Sequence, residues 1–280
     1  MEVKKMSVEI GPEQKILFWN RELELKWKPR IARARKAYYG AELSATLVGL
    51  RKVYVYHVYS EHPDVSFNFL RKNGLVFFPI RRTATYSGFS HSHPQVVAGE
   101  PFTIYGVAVK VEDMEVGELF KEYSNAQPTN HRGIGELLGY PKCCLDFFDE
   151  YWYKVSVDPM YEAALNTEGA VKTDDGIEVN VHPYSNKLLR YFGLRITPHV
   201  TCSMNCEATN KWGEIWFDLM LQVDERGAGW AKELLSMPLT WNSYKGVAVI
   251  DTPIFRGISN ADIELKKKII INRGWNEDGV

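Results

Sequence analysis

The chain holds four cysteines, and they fall in two short blocks. Gly139-Tyr-Pro-Lys-Cys-Cys-Leu-Asp-Phe-Phe148 carries Cys143 and Cys144, and Ile196-Thr-Pro-His-Val-Thr-Cys-Ser-Met-Asn-Cys206 carries Cys202 and Cys206. Thiolate is the form that binds soft metals and attacks electrophiles. It is favoured at helix starts, where free N–H groups and the positive end of the dipole meet the sulfur. Both blocks read as such starts. Gly139 suits a left-handed cap ending one helix, and Pro141 suits the first position of the next, where a missing N–H costs nothing. Trp212, Ile215, Trp216, Leu219, Met220 and Val223 recur on one face and mark a helix opening near Cys206.

Cys-x3-Cys at a helix start lets two sulfurs converge on one ion, and Cys143 or Cys144 from the other block supplies the rest. Neighbouring side chains diverge around a helix, so a set of three sulfurs competes with a set of four. His199, three residues before Cys202, and His131 are candidate fourth ligands. Zinc held by four cysteines, or by three and a histidine, would be closed and structural. A four-iron iron–sulfur cluster held by three cysteines would leave one iron open to substrate. The spacing matches neither a zinc ribbon nor a ferredoxin run, so both metals stand, beside thiol chemistry without metal and plain burial of the cysteines. Asp146 and Glu207 lie next to the blocks and read either as proton donors to a reacting group or as acids complementing a helix dipole.

These blocks also carry a resemblance. Gly139–Phe148, with His131-Arg-Gly-Ile-Gly-Glu-Leu-Leu138 before it, resembles the signature of the mainly archaeal family known as domain of unknown function 483. Pro198–Thr209, Met237-Pro-Leu-Thr-Trp241 and Gly246–Pro253 are similar to its later blocks. The resemblance covers roughly residues 103–256 and supports grouping the four cysteines. It implies no particular activity and no particular metal.

Charge points to a second candidate. The net charge is −1, but residues 1–82 hold 16 Lys and Arg against 8 Asp and Glu, and the remainder holds 18 against 27. The densest basic stretch, Lys26 to Lys36, sits among Trp19, Trp27, Tyr38 and Tyr39. Lys28, Arg30, Arg33, Arg35 and Lys36 would suit a nucleic acid or nucleotide, with phosphates attracted to the cations and bases stacked on the rings. The competing reading is a solvated helix face, because Ile31, Ala34 and Tyr38 recur at helical spacing. His91-Ser-His93, in a polar loop, is a weaker metal candidate.

The elements that must position these groups follow from patterning. Val53–Tyr59, Leu75–Ile80, Phe102–Lys110 and Val247–Ile250 read as strands, and residues 112–123, 132–138 and 141–152 as helices. Pro29 should interrupt any helix over 12–36. Residues 156–186 read as loop, and Ala231–Leu235 as a short helix. The expectation is an α+β fold, a mixed or antiparallel sheet region followed by a helical cysteine-containing region. The parts are a basic, aromatic N-terminal region over 1–124, a cysteine-cluster domain over 125–256 and a polar tail over 257–280. At 13% aromatic residues, wholesale disorder is excluded. The absence of a long apolar run argues against a membrane span, and the polar start argues for a cytoplasmic protein. Two functional readings stand: an enzyme with a cysteine-held centre acting on a nucleotide or nucleic acid, or a binding protein stapled by zinc.

Overall fold

The computed structural model describes residues 15–84, 96, 98–152, 158–261, 263 and 265–272. It is an α+β molecule with two sheets. β1 (Lys15–Phe18) leads into α1 (Arg21–Leu47), capped by the Asn20 side chain, which accepts the Leu23 N–H at 2.8 Å. α1 continues through Pro29, where an interruption is expected. Pro29 and Leu25 are both on the exposed side, so water reaches the Leu25 carbonyl that the missing N–H leaves unpaired.

The next elements are β2 (Tyr54–Tyr59), α2 (Pro63–Lys72), β3 (Leu75–Ala84) and β4 (Phe102–Lys110), and the strands pair antiparallel in the order β2-β4-β3. Their period-two alternation gives this sheet two apolar faces. Val53, Phe78, Val107 and Val109 pack with Phe120 of α3 (Met114–Asn125) and with Leu138, just past α4 (His131–Leu137). Tyr54, Leu75 and Ala108 pack with Leu70 of α2 and with Leu43 and Leu47 of α1.

The chain continues through α5 (Lys142–Tyr151), α6 (Pro159–Leu165), the hairpin β5 (Val171–Thr173) and β6 (Gly176–Glu178), and an irregular stretch over 179–206. α7 (Glu207–Leu235), β7 (Leu239–Tyr244), β8 (Val247–Asp251), β9 (Phe255–Asn260) and β10 (Lys267–Ile271) complete it. Seven strands form the larger sheet, in the order β1-β9-β8-β7-β10-β6-β5, with β10 and β6 parallel and the other pairs antiparallel. α1 and α7 pack along each other above the main core. Ala34, Ala37, Ala41 and Ala45 keep that face of α1 thin, and at Gly40 a Cβ would stand 2.5 Å from a Val223 methyl. α7 breaks at Asp224, whose carboxylate accepts the Gly227 N–H at 3.0 Å and so caps the second half of the helix.

Residues 257–272 are not a tail: β9 and β10 lie inside the larger sheet, and Ile269 and Ile271 are buried, one face of an alternation masked by flanking lysines. β1 pairs with β9 and α1 packs on α7, so residues 15–47 share the core of the cysteine-bearing region instead of a separate N-terminal one. The stretch read as loop over 156–186 contains α6 and a hairpin, and Ala231–Leu235 is the end of α7. His91 and His93 lie outside the described residues. Among the described residues no helix is long and apolar enough to cross a membrane.

Candidate metal centre

The two cysteine blocks meet. Gly139 takes the left-handed conformation that ends α4, φ 73°, and turns the chain through Tyr140 and Pro141 into α5. Cys143 and Cys144 occupy the first turn of α5, and Cys206 is the N-cap of α7, its sulfur accepting the Thr209 N–H at 3.5 Å. Cys202 lies on the turn just before. Cys143 Sγ and Cys144 Sγ are each 3.8 Å from Cys206 Sγ and 4.0 Å from each other, and all four sulfurs lie within 4.8 Å of one another. A cluster of this kind could hold a metal ion.

The adjacent pair was expected to diverge, yet both its sulfurs join the group. Side chains in a helix tilt toward its N-terminus, so two residues in the first turn both reach past the end of the helix. The other block arrives at that end instead of along the side of α5.

Without a metal, the negative charge of the group settles on Cys206. Hydrogen bonds from Cys144 and Cys202, helped by the Thr209 hydroxyl and N–H, hold its thiol far below the ordinary range. Hydrogen bonding to Cys144 and Cys206 pushes Cys202 far up, and burial together with the Cys206 charge raises Cys143. One charge shared by four sulfurs means that an incoming cation must displace the remaining protons.

Behind the sulfurs the site is dry and aromatic. Thr209, fully buried, places its hydroxyl 3.3 Å from Cys144 Sγ and 2.9 Å from His199 Nε2. A Thr209 proton given to sulfur obliges His199 to donate through Nε2. His199 is buried, and burial, then the nearby Lys187, holds its pKa well below the usual value, so the ring is neutral. Its ring lies against Tyr140, 5.1 Å between centroids, and against Trp212 at 5.4 Å. Lys187, also enclosed, donates to the Tyr184 and Thr197 carbonyls and to the Thr197 hydroxyl. Access is from the other side, where Cys143 is exposed while Cys144 and Cys206 are buried.

The remaining candidates sit elsewhere. His199 is not among the grouped ligand atoms; it stands behind Thr209 and supports a sulfur through it. His131 lies against Phe148 and Trp152, with ring centroids 5.6 and 5.5 Å away. Asp146 is an exposed carboxylate whose ion pairs with Lys142 and Arg132 lower its pKa, and Lys211 does the same for exposed Glu207. Both acids are therefore ionised surface partners and hold no proton to deliver. Thr209 and Tyr140 were not singled out from the sequence, since a threonine inside a helix and a tyrosine in a turn carry no ligand signal.

The three arginines of the α1 basic run are paired within the molecule, Arg33 at the exposed surface and Arg30 and Arg35 half-buried. Arg33 makes two hydrogen bonds to the Asp224 carboxylate, at 2.6 and 2.8 Å, and Arg35 donates to the Phe192 carbonyl at 2.5 Å. Arg30 lies between the Trp27 and Trp230 rings, 5.0 and 5.1 Å from their centroids. Lys28 and Lys36 are exposed, Lys28 facing Glu24. Comparison of the chain with protein-family profiles, with curated proteins and with solved structures finds no match.

Proposed function

We propose that Cys143, Cys144, Cys202 and Cys206 hold one zinc ion in a tetrahedral thiolate site that clamps the start of α5 to the start of α7. The supporting observation is the sulfur spacing. Four Zn–S bonds of about 2.3 Å in a tetrahedron set an S···S edge of about 3.8 Å; Cys143 and Cys144 each stand 3.8 Å from Cys206 and 4.0 Å from each other, and all four sulfurs lie within 4.8 Å. A four-iron cluster puts a metal–sulfide cube between the thiolates, with each thiolate on a different iron, and asks for a wider tetrahedron of ligands. Four thiolates leave a zinc ion no open position, so the role is structural. The two helix starts favour the negative charge of such a centre, and the Thr209 hydroxyl donates to one of its sulfurs.

On this reading the centre is a structural staple, and Arg30, Arg33 and Arg35 of α1 are engaged within the molecule. The test is elemental analysis of protein purified anaerobically under reducing conditions, which should give one zinc per chain and no acid-labile sulfide. Replacement by cobalt(II) should produce the strong visible bands of a tetrahedral thiolate site. Brown protein containing sulfide, or protein holding no metal at all, would sink the reading.

A further inference from the structure

We infer that the same centre is the protein's site of oxidative modification: a hydroperoxide reaches Cys143, Cys206 closes a disulfide onto it, and the ion is released. This rests on the zinc reading above and adds a regulation to it.

The four sulfurs are not equally placed. Cys143 is exposed, Cys202 half-buried, and Cys144 and Cys206 buried. The inner side is closed by Thr209, His199, Tyr140 and Trp212, so an oxidant from solvent meets Cys143 first. Access and thiolate character decide which cysteine in a protein is oxidised.

The partner comes from the Cys202–Cys206 segment, whose sulfurs both lie within 4.8 Å of Cys143, with Cys206 at 3.8 Å. Cys206 Sγ stands 3.8 Å from Cys143 Sγ on a separate chain segment, and closing to the ~2.05 Å of a disulfide asks for a movement of less than 2 Å. Cys144 Sγ is 4.0 Å away but belongs to the neighbouring residue. Consecutive Cα atoms are about 3.8 Å apart, short of the roughly 4.4 Å at which disulfides begin. A bond within the pair would distort the first turn of α5, whereas one to Cys206 joins two helix ends that already meet.

The chemistry balances with one hydroperoxide. The Cys143 thiolate attacks a peroxide oxygen, the O–O bond breaks, and the departing alkoxide or hydroxide is protonated by water. The Cys206 thiolate then attacks the sulfur of the resulting sulfenic acid; an S–S bond forms, the S–O bond breaks, and hydroxide leaves to become water. The two thiolates lose two electrons and the peroxide gains them. A disulfide is neutral and a poor ligand, so the ion keeps only Cys144 and Cys202 and dissociates.

The experiment treats the zinc-loaded full-length chain with hydrogen peroxide while a chromogenic chelator reports free zinc. Zinc content before treatment reports on the metal reading; release and cross-linking report on the switch, and a chain that holds no zinc overturns both. The expected result is release of the zinc as two thiols disappear, one cross-linked peptide pair joining Cys143 to Cys206, and recovery on adding thiol and zinc. Cys143→Ser should slow release by at least about tenfold, because the accessible nucleophile is gone. If that variant does not load zinc, a sulfenic-acid trap on the unaltered protein takes its place, and the label should fall on Cys143. A cross-link between Cys202 and Cys206, a label elsewhere than Cys143, unchanged release from Cys143→Ser, or zinc retained under peroxide overturns the proposal.

Discussion

The cysteine blocks and the basic face of α1 are both clusters of reactive or charged side chains, and the fold treats them in opposite ways. On α1 the cations are dense along one stretch, and the inner ones each find a partner elsewhere in the molecule: Arg33 on Asp224, Arg35 on a carbonyl, Arg30 between two tryptophans. In the cysteine blocks the groups come from segments some sixty residues apart and find chiefly one another. The dense cations of α1 are taken up by unlike partners from remote segments of the fold. Convergence of like groups from remote segments makes a cluster that could hold a cation.

Removing a sulfur is the strongest way to break this contrast. Cys206→Ala should abolish zinc retention through gel filtration and lower the thermal midpoint by about 10 °C, since 1 kcal/mol moves a chain of this size by roughly 2–4 °C. Cys143→Ala, Cys144→Ala and Cys202→Ala should act in the same direction. Full retention by Cys143→Ala would leave a set of three sulfurs and weaken the closed tetrahedron.

Acidification comes next in size. Cys206 is already a thiolate in the metal-free protein, while Cys143, Cys144 and Cys202 are raised and hold protons. Binding therefore expels protons, and affinity weakens as pH falls, by about tenfold in Kd per pH unit for each proton displaced. Calorimetry in buffers of different ionisation enthalpy counts them; a count near zero would place the ion elsewhere.

Thr209→Val keeps the shape of the side chain and removes the hydroxyl that joins Cys144 to His199. Zinc affinity measured by chelator competition should fall about 10- to 100-fold, as for other groups that orient a metal ligand. An unchanged Kd would reduce Thr209 and His199 to packing.

How much of this was legible beforehand depends on range. Strands rich in β-branched and aromatic residues, such as Phe102–Lys110, announce themselves. So do helix starts marked by Gly139 and Pro141, because caps are local chemistry. β1 and β10 were missed since each is short and pairs with a strand distant in sequence, and β9 (Phe255–Asn260) because Arg256, Gly257, Ser259 and Asn260 dilute its apolar pattern. The grouping of the cysteines was readable from their blocks. The reach of both Cys143 and Cys144 to one point was not, because it depends on the direction from which the Cys202–Cys206 turn approaches α5. His199 was misplaced for the same reason: its spacing from Cys202 fits a ligand, but the fold puts Thr209 between it and the sulfurs.

On the other side of the contrast, Asp224→Ala should cost about 1 kcal/mol in urea unfolding through the lost cap on Gly227, with zinc content untouched. A loss of zinc in this variant would mean that the α1–α7 contact and the sulfur site are one cooperative unit.

The smallest effect is expected from Lys28→Ala and Lys36→Ala. Both side chains are exposed on α1, and Lys28 only faces Glu24 across one helical turn. Their removal should leave the thermal midpoint unchanged, since surface substitutions away from caps and buried pairs are close to neutral. It should equally leave any low-salt binding to mixed tRNA unchanged, because two lysines without the neighbouring arginines make a poor phosphate track. Binding that is steeply salt-dependent and weakens with each lysine removed would show that α1 keeps enough free charge to act as an interface. The two regions would then differ in what they bind, and not in whether they bind.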